Sequence, residues 1–323
     1  LNLEEENIIL SEKGLWKYCK KNNNFKKLKI NIFIFLIFSS NKINNIHVHS
    51  NGYYIFLGYL ISILIKSKLI IKITRIGDGS LINRRKEKKF DIRLLVKRNL
   101  FKYICKSNNV YIQILSKSCF DIISRFSKKI IVFPNVIKKG EFNPMLKEKD
   151  TFVISSRLIK RKNIDLALDN LLNLKNKKIK IFILGDGPEF NRLKSKYEIN
   201  KSQISFLGYL KNQDIQHYYA KAEYFINLSE SEGMSNSLIE AMSYGCKCIV
   251  SAILENSYTA ENYAVYYDQN KEFSIKMRES LKLSPEDISN YANSKFSVDF
   301  FNSDKLKELY KIDNSNLSCR ERK

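Results

Sequence analysis

The sequence predicts an α/β protein of two domains, each with its own parallel sheet. Short apolar segments alternate with amphipathic ones along the chain, as in strands joined by helices. With 323 residues, 44% of them apolar, the chain is long enough to bury two cores of ordinary size. The apolar runs 30–38 and 53–65 are too short or too interrupted for a membrane-spanning helix, and the acidic segment after Leu1 does not fit a secretory signal.

The alternation is most regular from about residue 151 onward. The predicted strands there are 152–155, 180–184, 204–207, 224–228 and 247–250, and the predicted helices are 163–174, 188–197, 213–221 and 237–244. This pattern indicates a parallel sheet with helices on both faces. Such sheets bind ligands at the carboxyl ends of their strands.

The first half of the chain is less regular. Its predicted strands are 45–49, 68–74, 110–115 and 130–133, and its predicted helices are 54–66 and 93–105. Residues 138–149 are interpreted as a linker. The predicted domains are therefore 1–145 and 146–291, followed by a carboxy-terminal helix and tail at 292–323.

The net charge of +23 is concentrated in the first half. Residues 1–148 contain 29 Lys and Arg against 10 Asp and Glu (+19), and the remaining 175 contain 27 against 23 (+4). Biased codon use explains abundant Lys, but it does not deplete acids from one half. The alternative is a cationic surface for a phosphate-bearing lipid, a membrane face or nucleic acid. The basic loop 84–89, which precedes a predicted helix, is interpreted either as a contact with an anionic membrane or as a solvated run of charges. Nucleic-acid binding is not expected, because aromatic residues do not alternate with these cations and no known nucleic-acid motif is present.

Cysteine and histidine do not indicate a metal site. The six cysteines are scattered, which favours reduced thiols in a cytoplasmic protein over a disulfide framework. Cys246 and Cys248 share one face of a predicted strand, and His47 and His49 share one face of another. Neither pair has an evident third ligand, so packing is the simpler interpretation and no metal is predicted.

A pair of glutamates carries the clearest chemical signal. Glu232 follows the predicted strand 224–228 and precedes the helix 237–244, so it lies at a strand's carboxyl end. Gly233 allows a ligand to approach the backbone closely, and N–H groups at the helix start favour a phosphate. Glu240 lies early in that helix, where a Ser three residues earlier also fits a capping box. The alternative interpretation of Glu232 is an ordinary exposed acid in a loop, with no role in ligand binding.

Two cations follow another strand. Arg157 comes soon after the strand 152–155, and Lys162 lies five residues later. Cations in this position stabilise a diphosphate as it leaves a sugar, Arg through bidentate contacts and Lys as a point charge. A solvated basic loop is the alternative. The turn Gly-Asp-Gly-Pro that begins at Gly185 also follows a strand.

Taken in order, these features resemble the retaining glycosyltransferases of family 4 (glycosyl transferases group 1). That family has the GT-B fold, in which two Rossmann-like domains with parallel sheets face each other across a cleft. The similarity covers roughly residues 45 to 311. The matching motifs are His-Val-His at 47–49, Phe-Pro-Asn at 133–135, Arg157 with Lys162, Gly-Asp-Gly-Pro at 185–188, Phe-Leu-Gly at 206–208, Glu-x7-Glu at 232–240 and Ala-Met-Ser-Tyr-Gly at 241–245.

The resemblance implies a role for each residue. Arg157 and Lys162 would hold the donor diphosphate, Glu232 would contact the transferred sugar, and Glu240 would bind the ribose hydroxyls. The rest of the donor site would be backbone and turns: Gly233, Met234, Ser235, Gly185 and, at the base, Leu210. The family retains anomeric configuration by front-face attack, in which the leaving phosphate helps take the acceptor proton. It needs neither metal nor cofactor.

The amino-terminal domain departs from the family pattern. The family's first strand and Gly-rich loop have no good match before residue 45, and the chain starts at Leu, so a truncated domain is one expectation. Arg75 replaces the usual acceptor-side His, and His49 is the second acceptor-side candidate. The family's last helix, which returns to the first domain, would correspond to 299–311.

The resulting prediction is a cytoplasmic, metal-independent glycosyltransferase of hexosyltransferase type, peripheral on the inner face of the plasma membrane. Its substrate would be a nucleotide-sugar, UDP-linked in preference to GDP-linked. A glycan or polyprenyl-linked acceptor in surface-polysaccharide biosynthesis fits the cationic first half. The alternative is a non-catalytic nucleotide-sugar-binding or scaffold protein of the same fold, and turnover distinguishes the two.

Overall fold

The computed structural model describes residues 6–11, 14–19, 24–27, 43–49, 53–74, 92–174, 178–269 and 272–299. The chain divides into two compact units, one extending to Pro134 and the other comprising Asn135–Asn302. The predicted boundary lies later, after residue 145. The difference has a physical cause, since Ile137 forms a parallel bridge with Ser297 and the Gly140 N–H donates to Asn293 Oδ1 at 3.1 Å. These bonds join Gly140 of the predicted linker, and Ile137 just before it, to the second unit.

A seven-stranded sheet forms the centre of the first unit. Its strands are β1 (Glu6–Ser11), β2 (Gly14–Cys19), β3 (Asn24–Lys27), β4 (Ile43–His49), β5 (Lys68–Ile73), β6 (Val110–Ile114) and β7 (Ile130–Val132). They are ordered β3-β2-β1-β4-β5-β6-β7. β1 and β4 to β7 are parallel, while β2 pairs antiparallel with both β1 and β3. The sequence pattern predicts β4 to β7 but misses the first three strands, because Asn and Lys interrupt the apolar alternation there.

Three helices of the first unit are α1 (Tyr53–Leu64), α2 (Ile92–Cys105) and α3 (Phe120–Ile123). They bury one core against β4, β5 and β6, with Ile55, Leu69, Ile71, Phe101 and Ile104 among its largest side chains. Since α1 and α2 both contribute to this core, they lie on the same face of the sheet. The predicted helices 54–66 and 93–105 are confirmed to within two residues at each end.

The second unit contains a six-stranded sheet that is parallel throughout. Its strands are β8 (Glu148–Ser155), β9 (Lys180–Leu184), β10 (Ile204–Gly208), β11 (Ala222–Asn227), β12 (Lys247–Ser251) and β13 (Ala264–Tyr267). They are ordered β10-β9-β8-β11-β12-β13. The parallel doubly wound sheet predicted for this half is therefore confirmed.

Among the described residues of this unit, seven helices cover the sheet on both faces. They are α4 (Ile164–Leu172), α5 (Phe190–Lys196), α6 (Asn212–Lys221), α7 (Asn236–Ser243), α8 (Leu254–Ala260), α9 (Phe273–Ser280) and α10 (Pro285–Phe296). Alternate strand residues supply two separate cores: Ile154 and Ile226 pack with Leu168 of α4, whereas Val153 and Phe225 pack with Leu238 of α7.

Helix α10 runs across the second predicted boundary, at 291/292. Its inward side chains Ile288, Ala292 and Phe296 are all buried, so the helix continues without a break through that position. The helix that the resemblance places at 299–311 lies, apart from Asp299, outside the described residues. Within the part of the chain that is described, no helix is both long and apolar enough to cross a membrane.

The end of α7 requires a glycine. Gly245 follows the C-cap residue Tyr244 and has φ +72°. Its N–H donates to the Met242 carbonyl at 2.8 Å, and the next N–H donates to the Ala241 carbonyl at 3.0 Å. This is the Schellman arrangement, which depends on a left-handed residue after the C-cap. A Cβ at this position would lie 2.8 Å from the Pro285 carbonyl oxygen, a backbone atom of α10.

We expect Gly245→Ala to destabilise the second unit by about 1–3 kcal/mol, because the left-handed backbone is strained and α10 blocks the new methyl group. Gly208→Ala is the matched control: its φ is +68°, but the nearest atom to a Cβ is Phe190 Cε2 at 4.0 Å. It should cost only the conformational penalty of about 1 kcal/mol. Urea unfolding of both variants measures the difference, and equal losses would contradict the steric explanation.

Candidate functional site

The predicted site residues of the second unit gather where the order of its strands reverses direction. From β8 the chain proceeds outward through β9 and β10, and it then returns to start β11, β12 and β13 on the other side. The chain after β8 leads to α4 on one face of the sheet and the chain after β11 leads to α7 on the other, and the crevice at the carboxyl ends of these two strands is where open parallel sheets bind ligands. Arg157 and Lys162 lie after β8, and Glu232 lies after β11.

A buried ion pair joins the loops that follow β8 and β11. Lys162 Nζ lies 2.5 Å from Glu232 Oε1, and their side chains are only 12% and 7% exposed. Arg161 Nη1 lies 3.7 Å from the other carboxylate oxygen and also donates to the Ser231 carbonyl. The loop after β8 is thus fastened to the loop after β11 through opposite charges.

Side chains at the end of β11 complete the surroundings of this carboxylate. Asn227 Nδ2 donates to Glu232 Oε1 at 3.3 Å and to Ser235 Oγ at 3.2 Å, while Asn227 Oδ1 accepts from Ser229 Oγ at 2.5 Å. Burial by itself raises the pKa of Glu232, but the charge of Lys162 and the hydrogen bonds from Lys162, Ser229 and Asn227 outweigh it. The pKa is lowered as a result, and Glu232 is ionised at neutral pH.

Backbone bonds hold the loop after β8 from two sides. The Leu158 N–H donates to the Asp186 carbonyl at 2.9 Å, and the Leu158 carbonyl accepts from the Glu189 N–H at 3.0 Å. On the other side the Glu230 N–H donates to the Arg161 carbonyl at 3.0 Å. The position of Lys162 is therefore set by the turns after β9 and β11 together.

Arg157 lies in the same loop but is oriented toward solvent. Its side chain is exposed, and its guanidinium has no ion-pair or hydrogen-bond partner among the described residues. The two predicted cations thus differ in state: Lys162 is engaged with Glu232, and Arg157 is available to an anion.

Three successive N–H groups are unused beside the carboxylate. Within the described structure the backbone N–H groups of Gly233, Met234 and Ser235 donate to no protein acceptor. They directly precede α7, whose positive dipole end reinforces attraction for an anion. The arrangement fits a phosphate or an oxygen-rich ligand placed between these groups and Lys162.

The capping-box explanation for Glu240 is wrong. The N-cap of α7 is Ser235, whose Oγ accepts from the Leu238 N–H at 3.4 Å. Because the helix begins two residues earlier than that box requires, Glu240 lies in the second turn and is too far along to cap it. Its carboxylate has no hydrogen-bond or ion-pair partner among the described residues, and burial raises its pKa. A half-buried, unpartnered carboxylate here is consistent with a role in binding hydroxyl groups.

Asn135 is a site residue that the sequence pattern identified only as part of a motif. Its N–H donates to the Met234 sulfur at 3.2 Å, and its Nδ2 donates to Asn236 Oδ1 at 2.8 Å. These bonds hold the loop that carries the three unused N–H groups. Arg161 and Asn227 were also missed as participants; the only sequence signal for Asn227 is a polar residue at the end of an apolar strand.

Gly185 and Leu210 follow β9 and β10, the two strands beyond β8. Gly185 has φ +125°, and its N–H donates to the Gly208 carbonyl at 2.8 Å. A Cβ on it would lie 1.9 Å from the Ser156 carbonyl oxygen, so glycine is needed for the turn to pack against the loop after β8. Leu210 is half-buried between β10 and α6. Both positions therefore lie at the same edge of the sheet as Arg157.

The acceptor-side candidates belong to the first unit. His49 ends β4, and its ring contacts that of His47 edge-on at 4.3 Å between centroids. Burial, followed by the charge of Lys72, lowers the pKa of His49 to about 4, so the imidazole is neutral at pH 7. Arg75 lies outside the described residues, as does the basic loop 84–89. In the described ranges no three His, Cys, Asp or Glu side chains are grouped so as to hold a metal ion.

The sequence of the second unit matches a known family model. Residues 137–295 match the model described as "Glycosyl transferases group 1", which confirms the group predicted from the motifs. The match includes Arg157, Lys162, Glu232 and Glu240.

Two curated relatives show the extent of this similarity. The alpha-monoglucosyldiacylglycerol synthase of Streptococcus pneumoniae is 25% identical over 191 residues, covering 51% of this chain and 43% of the relative. The capsular polysaccharide biosynthesis glycosyltransferase CapH of Staphylococcus aureus is 34% identical over 119 residues, covering 34% of this chain and 33% of the relative. The matched part thus spans less than half of the length of each of these relatives.

A solved structure matches over both units. Anabaena Alr3699/HepE in complex with UDP-glucose has a TM-score of 0.68 at 12% identity, covering 87% of this chain and 82% of that one. A likeness at this identity concerns the fold alone. It confirms the predicted α/β class and GT-B fold.

Ser235→Ala should destabilise the second unit by at least about 1 kcal/mol, because α7 loses the side chain that caps it and Asn227 loses a hydrogen-bond acceptor. Ser237→Ala is the matched control, since Ser237 lies inside the helix and accepts no backbone N–H bond from it in this structure. Thermal unfolding of the two variants measures the contrast. A larger loss of thermal stability for Ser237→Ala would indicate that Ser237, the N-cap residue of the capping box with Glu240, caps the helix.

Lys162→Met should destabilise the chain by about 3 kcal/mol, because it leaves the buried Glu232 carboxylate without its main partner. Glu232→Gln in the same background should recover part of that loss by removing the uncompensated charge. Lys160→Met is the control, because Lys160 is exposed in the same loop. Denaturant unfolding of this set together with Glu232→Gln alone measures the coupling between Lys162 and Glu232.

The lowered pKa of Glu232 predicts that the free energy of unfolding depends on pH. The folded-state pKa of Glu232 lies below its ordinary value of 4.5, so the stabilising contribution is complete above that pH and is lost as pH falls through the lowered pKa. The stability difference between the parent and Glu232→Gln should therefore be constant from pH 5 to 7 and shrink below about pH 4.5. A difference that grows on acidification would contradict the lowered pKa.

Proposed function

Because residues 137–295 are a glycosyl transferases group 1 domain, we propose that this chain is a retaining glycosyltransferase of family 4. It moves a hexose from a nucleotide-diphosphate donor, with a UDP-sugar favoured, to a glycan or lipid-linked acceptor in surface-polysaccharide biosynthesis. The observation that carries the proposal is the Lys162–Glu232 pair beside three unused N–H groups at the strand-order reversal.

The diphosphate is the part of the donor that this crevice suits best. A lysine ammonium has three N–H donors, and Glu232 Oε1 occupies one of them, so Lys162 can bind a phosphate without releasing the carboxylate. Arg157 supplies a second cation, and the N–H groups of residues 233–235 supply neutral donors. As the bond to the sugar breaks, negative charge grows on the diphosphate, and these fixed groups stabilise it without rearranging.

Glu232 acts on the transferred sugar as a hydrogen-bond acceptor. Because its lowered pKa keeps it ionised, it has no proton to donate and orients sugar hydroxyls instead. Glu240 accepts hydrogen bonds from the ribose hydroxyls, which would satisfy a carboxylate that has no hydrogen-bond or ion-pair partner among the described residues. Leu210 and the turn at Gly185 lie toward the nucleobase of the donor.

The proposed chemistry needs no proton from the chain itself. The bond between the anomeric carbon and the diphosphate oxygen breaks, and its electron pair leaves with the diphosphate. The acceptor oxygen bonds the same face of that carbon, and its proton passes to the leaving phosphate oxygen. Configuration is retained, and neither a metal nor a cofactor takes part.

The relatives support the choice of donor and acceptor. One fold neighbour was solved with UDP-glucose, and the two relatives are named as a monoglucosyldiacylglycerol synthase and as a capsular polysaccharide biosynthesis glycosyltransferase. A phosphate-bearing lipid as acceptor also fits the charge of +19 in residues 1–148. We place the reaction in the cytoplasm, at the inner face of the plasma membrane.

A panel of UDP-, GDP- and TDP-sugars tests the proposal, with binding and slow donor hydrolysis as readouts. Glu232→Gln should lower the hydrolysis rate by about 100-fold, because a hydrogen bond made to the reacting sugar is lost. Glu240→Gln should mainly raise KM, since the ribose is bound equally in ground and transition states. Glu230→Gln is the matched control, because Glu230 lies exposed on the same loop.

The outcomes separate the enzyme from a non-catalytic binder. Donor binding without turnover in the parent and in every variant would support the scaffold alternative. No response to any donor would contradict both. Hydrolysis that Glu232→Gln leaves unchanged would remove Glu232 from the catalytic residues.

A further inference from the structure

Six large apolar side chains are exposed on the outward faces of α1 and α2. They are between 43% and 75% exposed, and none belongs to the core of the first unit. On α1 they are Leu60, Ile63 and Leu64, and on α2 they are Val96, Leu100 and Tyr103. Single exposed apolar residues are normal on a protein surface, but a contiguous group usually indicates an interaction site.

The two helices present these residues on one surface. Both bury their opposite sides, Ile55 and Ile61 of α1 and Phe101 and Ile104 of α2, in the same core on the same face of the sheet. Their outward sides therefore both point away from that sheet. Tyr59 Oη and Ser107 Oγ are 2.8 Å apart, which ties α1 to the end of α2. We call the six side chains the α1–α2 patch.

In the two described segments that carry the α1–α2 patch, 53–74 and 92–119, every charged side chain is a Lys or Arg. Neither 53–74 nor 92–119 contains a single Asp or Glu. The exposed lysines beside the patch are Lys66, Lys97, Lys102 and Lys106, and none forms an ion pair with a described residue. An apolar centre with a cationic border complements a surface that is apolar inside and anionic outside.

We propose that the α1–α2 patch docks the protein on a bilayer with anionic headgroups. This inference rests on the proposed function, and it specifies the surface that would meet the membrane. The 12 residues of α1 make a helix about 18 Å long, which is too short to cross a hydrocarbon core of about 30 Å. The helices lie along the interface, with the apolar side chains among the acyl chains and the lysines at the phosphates.

Vesicle co-sedimentation tests the proposal on the full chain. Vesicles of phosphatidylcholine alone and with about one third phosphatidylglycerol are compared at low and high salt. We expect binding to the anionic vesicles only, weakening with salt because the charges are screened. Lys97→Gln with Lys102→Gln should weaken binding about thirtyfold, since each cation near such a surface contributes about 1 kcal/mol.

Leu64→Ser with Tyr103→Ser should weaken binding by tenfold or more, because two apolar anchors are removed. Controls come from exposed residues of the second unit: Met145→Ser with Ile199→Ser for apolar area, and Lys194→Gln with Lys201→Gln for charge. These controls should bind like the parent. All substituted side chains are exposed, and thermal midpoints verify that each variant is folded.

Three results would overturn the proposal. The first is no binding of the parent to anionic vesicles at low salt, and the second is equal loss in the control variants. The third is a parent that sediments as a dimer which Leu64→Ser with Tyr103→Ser dissociates, because the patch would then cover a second copy of the chain. Donor hydrolysis in solution is measured in parallel. If the parent binds vesicles through the patch but hydrolyses no donor, the proposed function is rejected and the docking surface is kept. If the parent hydrolyses a donor but does not bind vesicles through the patch, the docking surface is rejected and the proposed function is kept.

Discussion

The contact between the Lys162 ammonium and the Glu232 carboxylate governs the crevice of the second unit. A carboxylate this deeply buried stays ionised only if a cation and hydrogen bonds replace the water it has lost. Meeting that requirement brings the loop after β8 against the loop after β11 and fixes both. The N–H groups of residues 233–235 then have a defined place, and α7 has a defined start at Ser235. The electrostatic need of one side chain thus organises the neighbouring parts of the site.

The sheet topology explains why this contact forms at the edge where ligands bind. β8 and β11 are neighbours in space although three helices and two strands separate them in the chain. Residues that follow them meet only because both strands run in the same direction, with their carboxyl ends at one edge. The same topology places Gly185 and Leu210 along that edge, so one row of strand ends carries cations, N–H groups available to a ligand, and the apolar side chain of Leu210.

Particular residues show how far the sequence could lead. Helical and strand periodicity is local, so it predicted the elements from β8 to β12 with small errors at their ends. It failed for β1 to β3, where polar residues interrupt the apolar pattern. The motifs identified Glu232 and Lys162 but could not show that the two bind each other, because 70 residues separate them. Asn227 and Arg161 were missed for the same reason: their partners lie on other loops.

What the sequence determined by itself was the α/β class, the doubly wound second half, the asymmetry of charge and the identity of the residues at the strand ends. Each of these depends on local spacing or on composition. Only the tertiary structure decided that Ser235 rather than Ser237 caps α7, that Glu232 is paired while Arg157 is open, and that α1 and α2 expose their apolar sides together. These depend on which distant segments share a surface, and on how burial and nearby charge alter side chains that are chemically alike in the unfolded chain.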